Sequence, residues 1–346
     1  MAGRGRPSRA SIYERLDRAL TELNQRYGGL PSPKEAQSIW DDIWHQEAHH
    51  STALEGNTLV LREVKALLDQ GRAVGAKSLK EYNEVRGYAD AARWVYGQAM
   101  EPGDWHDGRL LTIGEVRQVH HAAMTPVWDV DPHPEATDHE GPGNFREHDI
   151  HPFSGGMTPP SWPLVPARTE QWVTDVRVAG DRIGDGAKPA LPLPLPLPEE
   201  LARLHNEFER IHPFIDGNGR TGRLVLNLVL VRLGYPPVVI MKRQRESYLA
   251  AMQRADKGDY GALGELIARA MYDNLNRFIV PNVAGPVRLV PLAALVDHEF
   301  TMIALRRAAQ RGRLDAMQGA DGVWRSSRKA VEAYRASKHH RRPRRP

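Results

Sequence analysis

The chain has 346 residues, of which 41% are hydrophobic and 26% are charged, and it contains no cysteine. That length is enough for about two domains with hydrophobic cores, and the missing cysteines exclude disulfides, cysteine-bound metal sites and a thiol nucleophile. The net charge of +4 is uneven, because residues 283–346 hold fourteen Lys and Arg against five Asp and Glu, a net of +9. This end of the chain is either a nucleic-acid contact or a solvated basic tail.

Neither the N-terminus nor the most apolar stretch of the sequence indicates a membrane protein. The basic N-terminus is not followed by an apolar run, so no signal peptide is predicted. The most apolar stretch, residues 224–241, is interrupted by Asn227, Arg232 and a proline pair, which favours a buried helix over a membrane span. We expect a cytoplasmic protein.

The N-terminal region predicts two helices. Apolar residues recur at helical spacing over residues 11–27, and Gly28-Gly29 ends the run. A second helix starts after Pro33, with Ser32 as a plausible N-cap, and it ends at Gly56-Asn57. Together these segments predict an N-terminal unit over residues 1–58.

The body of the chain reads as mostly helical. Further helices are predicted at about 60–70, 78–98, 111–124 and 168–179, with no clear strand pattern between them. Residues 126–165 are rich in Pro, Gly, Asp and His, and their short β-compatible pieces predict a functional flap with a short hairpin. The proline-rich stretch 188–198 predicts an extended connector, which we favour over a ligand for a partner protein.

The most informative stretch, His212-Pro-Phe-Ile-Asp-Gly-Asn-Gly-Arg-Thr-Gly-Arg223, follows a helix predicted over residues 199–211. Its glycines match a dinucleotide-binding fingerprint, but that site requires a preceding strand. A phosphate-binding P-loop requires Lys and Ser or Thr after the last glycine, where this chain has Arg223 and Leu224. Both of these interpretations therefore fail.

The residue types nevertheless suit a nucleotide phosphate. Gly217, Asn218 and Gly219 can turn several backbone N–H groups toward one anion, and the following helix adds its positive N-terminus. Arg220 and Arg223 lie one turn apart with fork geometry suited to phosphate. Upstream, Asp216 can hold Mg²⁺ and His212 can act as a general base.

This stretch resembles the signature of the Fic family, whose members transfer AMP from ATP to protein hydroxyls. The similarity continues through Pro237 and over residues 248–260. The resemblance implies an all-α fold with a catalytic core over residues 59–282. It also implies a flap that aligns the target by strand addition, His212 as the base, and Asp216 as the Mg²⁺ ligand. The phosphate contacts would be made by Gly217, Asn218, Gly219, Arg220 and Arg223. A nearby His151-Pro152-Phe153 repeats only the first three letters and is assigned to the flap.

A second motif, Ser51-Thr-Ala-Leu-Glu55-Gly56, resembles the inhibitory motif of the same family, here on an N-terminal helix. If Glu55 pairs with Arg223, the arginine that should hold the γ-phosphate is occupied, and the α-phosphate is not placed for in-line attack. In some family members this glutamate also orients a water that removes AMP. The plainer interpretation is a solvated glutamate at a helix end.

The C-terminal unit, residues 283–338, reads as a short helix over residues 290–296, a turn, a second helix, two short strands and a final helix. This order resembles the winged helix-turn-helix units of excisionase-like proteins and assigns DNA contacts to Arg306, Arg307, Arg311 and Arg325. A protein-docking winged helix is the alternative. Residues 339–346 form a basic tail.

The leading hypothesis is an ATP- and Mg²⁺-dependent protein adenylyltransferase that is autoinhibited by Glu55. Its target would be a protein with a Ser, Thr or Tyr hydroxyl, and a homodimer is a further candidate assembly. Two alternatives stay open. One is a DNA-binding transcriptional regulator with the Fic core as a sensor, and the other is a Fic enzyme that mainly removes AMP or uses another nucleotide donor.

Overall fold

The structure is a computed structural model of the chain. It describes residues 7–32, 37–99, 110–152, 156–184, 191–284, 288–319 and 321–340. These residues form a mostly helical fold with one small antiparallel sheet, so the predicted helical class is confirmed. No helix in the described ranges is long and apolar enough to cross a membrane.

The helices follow the predicted order, with three additions. In chain order they are α1 (Arg9–Tyr27), α2 (Gln37–Leu54), α3 (Leu61–Gln70), α4 (Leu79–Gln98), α5 (Ile113–Trp128), α6 (Val165–Ile183), α7 (Leu197–Ile211), α8 (Asn218–Arg232), α9 (Arg245–Ala255), α10 (Gly261–Asn274), α11 (Val280–Val283), α12 (Met302–Gln310) and α13 (Arg328–His340). Helices α9, α10 and α11 were not predicted from periodicity. Residues 197 and 198, which we placed in the extended proline-rich segment, instead form the first turn of α7; residues 188–190 of that segment lie outside the described ranges.

Capping residues explain where several helices begin. Ser78 and Thr112 each accept a hydrogen bond from the backbone N–H of the glutamate three residues later, and that glutamate bonds back to the cap. Such reciprocal caps satisfy backbone donors that the helix cannot satisfy itself. The cap glutamate of α5, Glu115, also pairs with Arg232 at the end of α8 at 2.6 Å. This contact fixes the start of α5 against the end of α8.

Helix α8 is the centre of the core. Every residue from Asn218 to Arg232 is buried except Gly219, because α8 is surrounded by other helices. A helix that is apolar on nearly all sides gains most of its stability from such packing. One continuous apolar cluster extends from α1, through α8, to Val331 in α13. The polar first turn of α8 is thereby mounted on a rigid support.

The flap between α5 and α6 does not contain the predicted hairpin. Residues 129–152 and 156–161 form turns and extended segments without a strand. Side chains, rather than a partner strand, satisfy this backbone: Glu140 accepts from the N–H of Glu147 at 2.5 Å, and Arg146 donates to the carbonyl of Pro160 at 2.5 Å. Buried backbone groups need partners of some kind, and period-2 patterning cannot anticipate side-chain partners.

The C-terminal residues form a three-stranded sheet together with α12 and α13. Strands β1 (Val290–Pro291), β2 (Ala316–Gln318) and β3 (Trp324–Ser326) pair antiparallel in the order β1-β3-β2. We predicted a helix over residues 290–296; its first two residues are instead a strand, and a 3-10 turn follows at residues 292–295. The hairpin and flanking helices follow the predicted order, and the assignment as a winged helix-turn-helix stays a prediction.

Candidate active site

The site begins where α7 ends. His212 is the C-terminal cap of α7 and has a left-handed backbone, with φ of 49°. Its Nδ1 lies 3.1 Å from the carbonyl oxygen of Glu209, so Nδ1 carries the proton and Nε2 is the basic nitrogen. Burial lowers the pKa of His212 to about 4, which outweighs the opposite effect of that hydrogen bond. The imidazole is therefore neutral at pH 7, as a general base must be.

The loop after His212 is closed by side chains. The Asn218 amide accepts from the N–H of Phe214 at 2.9 Å and donates to its carbonyl at 2.8 Å. The Phe214 ring stacks on His120 of α5, with 3.7 Å between ring centroids and 1° between planes. His120 Nε2 also lies 3.0 Å from the carbonyl oxygen of Asp216. The loop is therefore held by Asn218 from within and by His120 from α5.

The first turn of α8 has the features of an anion site. Gly217 adopts φ of 78°, and a Cβ there would lie 2.6 Å from Met124 Sδ, so both the backbone and the space require glycine. Asp216 lies at the edge of this turn and accepts from Gly217 N–H at 2.5 Å and from Arg220 at 3.1 Å. The backbone N–H groups at the start of a helix attract negative charge.

Arg220 is buried, and some of its N–H donors have no partner among the described residues. Apart from its bond to Asp216, its nearest acid is Glu84 of α4, with 3.9 Å between Nη1 and the carboxylate. The Nε and Nη1 atoms have no hydrogen-bond partner within the described part of the chain. Buried donors without partners are costly, so an incoming phosphate would satisfy them. The residues present therefore fit a nucleotide phosphate.

Arg223 is occupied by the C-terminal end of α2. Its Nε donates to Ser51 Oγ at 2.7 Å, and its Nη2 donates to Glu55 Oε1 at 2.6 Å. Burial acts to raise the pKa of Glu55, but the Arg223 guanidinium outweighs it and holds that pKa below its ordinary value. A Cβ at Gly219 would lie 2.6 Å from Glu55 Oε1. The carboxylate therefore lies directly on the first turn of α8, and Gly56, with φ of 108°, ends the helix beside it.

A second contact between the same two helices was not predicted. Glu47 of α2 is 2% exposed and accepts hydrogen bonds from Asn227 of α8, at 2.8 Å, and from the Tyr96 hydroxyl of α4. Burial raises the pKa of Glu47 to about 8 against the opposite effect of these two bonds. Because Asn227 follows Arg223 by one turn, the two contacts lie side by side along α8.

The structure brings most of the predicted site residues together. One cluster contains Ser51, Glu55, Gly56, His212, Asp216, Gly217, Asn218, Gly219, Arg220 and Arg223. His151 of the repeated His151-Pro152-Phe153 is exposed near Asp149, and Phe153 lies outside the described residues. Glu47, Glu84, His120 and Arg146 were missed, because their roles depend on contacts between distant segments.

The C-terminal arginines are not equivalent. Arg306, Arg307 and Arg311 are exposed at α12, and none has an ion pair among the residues that the structure covers. Arg325 is different, because it binds Glu22 of α1 at 3.0 Å and Asp321 at 2.8 Å. These two carboxylates remove Arg325 from the predicted DNA contacts, since β3 directs it toward α1.

Comparison with known proteins agrees with this geometry. The Fic/DOC family matches residues 110–230. The chain is similar to two proteins named protein adenylyltransferase Fic. The one from Drosophila erecta is 29% identical over 279 residues, and the one from Drosophila willistoni is 30% identical over 275 residues. Each alignment covers 78% of this chain, and 50% and 49% of the respective relative, so the chain spans about half the length of these curated relatives.

Solved structures give the same fold. Fic-1 (aa134–508) from C. elegans superposes with a TM-score of 0.60 and 25% identity, covering 78% of this chain and 72% of that one. A Fic domain containing signaling protein from Bacteroides thetaiotaomicron has a TM-score of 0.57 and 24% identity, covering 77% of this chain and 96% of that one.

Proposed function

We propose that this chain, whose residues 110–230 match the Fic/DOC family, is a protein adenylyltransferase. It would transfer AMP from ATP to a hydroxyl side chain of a target protein. The observation that carries the proposal is the convergence of a neutral base, His212, and a phosphate-binding helix start on one rigid loop. Placing a base and an anion site in fixed positions supplies the proximity that phosphoryl chemistry needs.

The chain's own groups account for each part of the transfer. His212 Nε2 takes the proton as the target hydroxyl oxygen bonds to the α-phosphorus, and the bond from that phosphorus to the bridging oxygen of pyrophosphate breaks. Arg220 and the first turn of α8 hold the phosphate oxygens. Asp216 would hold Mg²⁺, which supplies charge neutralisation on those oxygens when bound. Pyrophosphate leaves with both electrons of the broken bond.

Glu55 would restrain this reaction. Its carboxylate lies on Arg223 and over Gly219, where the outer phosphates would otherwise bind. Because 41% of the Glu55 side chain is exposed, water can solvate the carboxylate when it leaves. The buried Arg223 then keeps its hydrogen bonds to Ser51, so α2 need not unfold. The same position next to solvent also suits a carboxylate that orients water, which favours AMP removal as a second activity.

Labelled ATP tests the main proposal. Wild type, Glu55→Gly and His212→Ala are incubated with α-labelled ATP, Mg²⁺ and a cell lysate, and labelled proteins are resolved by electrophoresis and mass spectrometry. Glu55→Gly is expected to label itself or other proteins strongly and His212→Ala not at all. Equal labelling by these two variants would refute the proposal.

The alternative activities are separated by the donor and the substrate. Glu55→Gly is offered ATP, GTP, CTP and UTP in parallel, and a preference for another donor would replace ATP. The target modified by Glu55→Gly is then returned to the wild type, and loss of AMP that depends on Glu55 would show removal.

A DNA contact is a separate proposal for α12. Arg306 and Arg307 share the exposed surface of this helix with Met302 and Ile303, which are 42% and 65% exposed. Exposed arginines suit phosphates and guanine edges, and apolar side chains suit thymine methyl groups. The full chain and its Arg306→Ala/Arg307→Ala variant are titrated onto duplex DNA at several salt concentrations. Absence of binding at low salt, or no loss in the variant, would exclude this surface as a DNA contact.

A further inference from the structure

The flap reaches the catalytic loop through one buried arginine. Arg146 is 1% exposed. Its Nε donates to the carbonyl of His212 at 2.9 Å, its Nη1 to the carbonyl of His148 at 2.9 Å, and its Nη2 to the carbonyl of Pro160 at 2.5 Å. Its own backbone N–H donates to the carbonyl of Pro213 at 3.0 Å. One residue thus links both limbs of the flap to the two residues that start the catalytic loop.

The charge of Arg146 is held mainly by backbone carbonyls. Its nearest described carboxylate, Asp149, lies 3.8 Å from Nη1 and is largely exposed. Burying a cation without a close counter-ion is costly, so a loop that only needed to be closed would be closed more cheaply by apolar packing. A rigid guanidinium does provide what apolar packing does not, because its fork fixes three acceptors in one plane.

The acceptor that matters for chemistry is the His212 carbonyl. His212 has a left-handed backbone, which costs about 1–3 kcal/mol for a residue other than glycine and persists only where neighbouring structure enforces it. Its ring is fixed by the Glu209 carbonyl and its peptide by Arg146. Without Arg146 the peptide can rotate toward a relaxed conformation and move the imidazole with it.

The far end of the loop is tied to the flap independently. The N–H of Gly143, in the flap, donates to His120 Nδ1 at 2.8 Å. Nδ1 is therefore the acceptor, and Nε2 carries the proton that is donated to the carbonyl of Asp216. Arg146 and His120 thus hold the two ends of the catalytic loop against the same flap.

We propose that Arg146 is a positioning residue for the adenylyl transfer, which fixes the His212 peptide to the flap so that the base and the target-aligning segment move as one body. His120 has the corresponding role for Asp216. This inference rests on the proposed function, since it concerns how the base of that reaction is held.

The kinetic test uses Glu55→Gly as the active parent. Arg146→Met is added because the methionine side chain resembles the aliphatic part of arginine but has no charge and no N–H donors. It is expected to lower kcat about 100-fold, the effect of displacing a catalytic group by about 1 Å. The KM for ATP should stay within about threefold, since the phosphate contacts do not include Arg146. Arg146→Lys keeps the charge and should recover part of the loss. His120→Phe keeps the ring stack and loses both hydrogen bonds, and it should also lower kcat. Arg168→Met, at an exposed position of α6 without a described hydrogen bond, is the matched control and should equal the parent.

A second readout does not depend on activity. The Arg146 charge lowers the pKa of His212, while Glu55, Asp216 and the Glu209 carbonyl raise it. In wild-type protein with labelled histidine, Arg146→Met should therefore raise the His212 pKa measured by NMR, with the signal assigned through His212→Ala, and Arg146→Lys should raise it less.

The outcomes are distinguishable. If the Glu55→Gly parent transfers no AMP, the proposed function fails, and the His212 titration still decides the positioning role. A kcat within twofold of the parent, or an unchanged His212 pKa together with equal losses of kcat and ATP affinity, would overturn the inference. If Arg146→Met does not fold, the same two criteria apply to Arg146→Lys.

Discussion

Helix α2 meets α8 at two neighbouring contacts that differ in kind. At the outer contact, Glu55 forms an ion pair with Arg223 and keeps 41% of its side chain exposed. At the inner contact, Glu47 is 2% exposed and is held by Asn227 and Tyr96. Burial of the inner carboxyl favours its neutral form, whereas the guanidinium at the outer contact favours the charged form.

The two contacts therefore have different roles: the outer one restrains the active site, and the inner one attaches α2 to α8. The Glu55 carboxylate can be solvated as it leaves, because 41% of its side chain is exposed. Arg223 is buried, but it keeps its two hydrogen bonds to Ser51 when Glu55 leaves, so the outer contact can open without leaving the guanidinium unpartnered. The inner contact satisfies buried polar groups, and losing it leaves them without partners. We therefore expect Glu55 to leave Arg223 while Glu47 keeps α2 in place.

The largest effect should come from removing the outer carboxylate. Glu55→Gly is expected to increase AMP transfer by about 5–150-fold, the usual range of coupling between two sites, because Arg223 becomes available to the nucleotide. Its free energy of unfolding should fall by no more than about 3 kcal/mol, the upper value for losing a hydrogen bond between charged groups, because Arg223 keeps its bonds to Ser51. Urea unfolding of both proteins, together with initial rates, checks this. A loss of more than about 3 kcal/mol in the free energy of unfolding would show that Glu55 attaches α2 to α8 rather than restrains the site.

The next effect concerns the inner contact. Glu47→Ala should lower the free energy of unfolding by about 2–5 kcal/mol, since Asn227 and the Tyr96 hydroxyl lose an acceptor and a cavity forms. Urea unfolding measures this, with Glu170→Ala at an exposed position of α6 as a comparison. A loss below about 1 kcal/mol would contradict the assignment of Glu47 as the attachment point.

A change that is smaller for each pH unit, but spread over several units, should appear in the pH dependence of stability. The pKa of Glu47 is raised from 4.5 to about 8, so the folded chain keeps a proton that the unfolded chain loses between these values. Stability therefore falls with rising pH across this window, by up to about 1.4 kcal/mol per pH unit. Glu47→Gln cannot ionise, so its unfolding free energy relative to wild type should rise from pH 5 to pH 8 and then level off. Parallel curves for the two proteins would refute a neutral buried Glu47.

The smallest effect should be that of salt on the outer contact. Raising ionic strength from 0.1 to 1 M shortens the screening length from about 10 Å to about 3 Å. This weakens the Glu55–Arg223 pair, because the Glu55 carboxylate is in contact with solvent. The rate of wild type relative to Glu55→Gly should then rise by about two- to threefold. Taking the ratio removes the effect of salt on nucleotide binding. A ratio that falls with salt would show that the pair is not held by exposed charge.

Local sequence determined much of this protein. Apolar spacing predicted α1, and the cap residues Ser78 and Thr112 lie where α4 and α5 begin, because caps and periodicity act within a few residues. The stretch from His212 to Arg223 likewise predicted the catalytic loop, because its base, carboxylate, glycines and arginines are neighbours in the chain. The resemblance to the Fic signature rested on the same local order.

Tertiary structure decided which distant side chains meet. The sequence contains no signal that pairs Glu47 with Asn227, or Arg146 with the His212 carbonyl, because burial and hydrogen bonding across helices depend on how the helices pack. For the same reason residues 129–152 and 156–161 of the flap form no hairpin, and Arg325 pairs with Glu22. Short-range chemistry fixed what the loop can do, and long-range packing fixed what holds it and what restrains it.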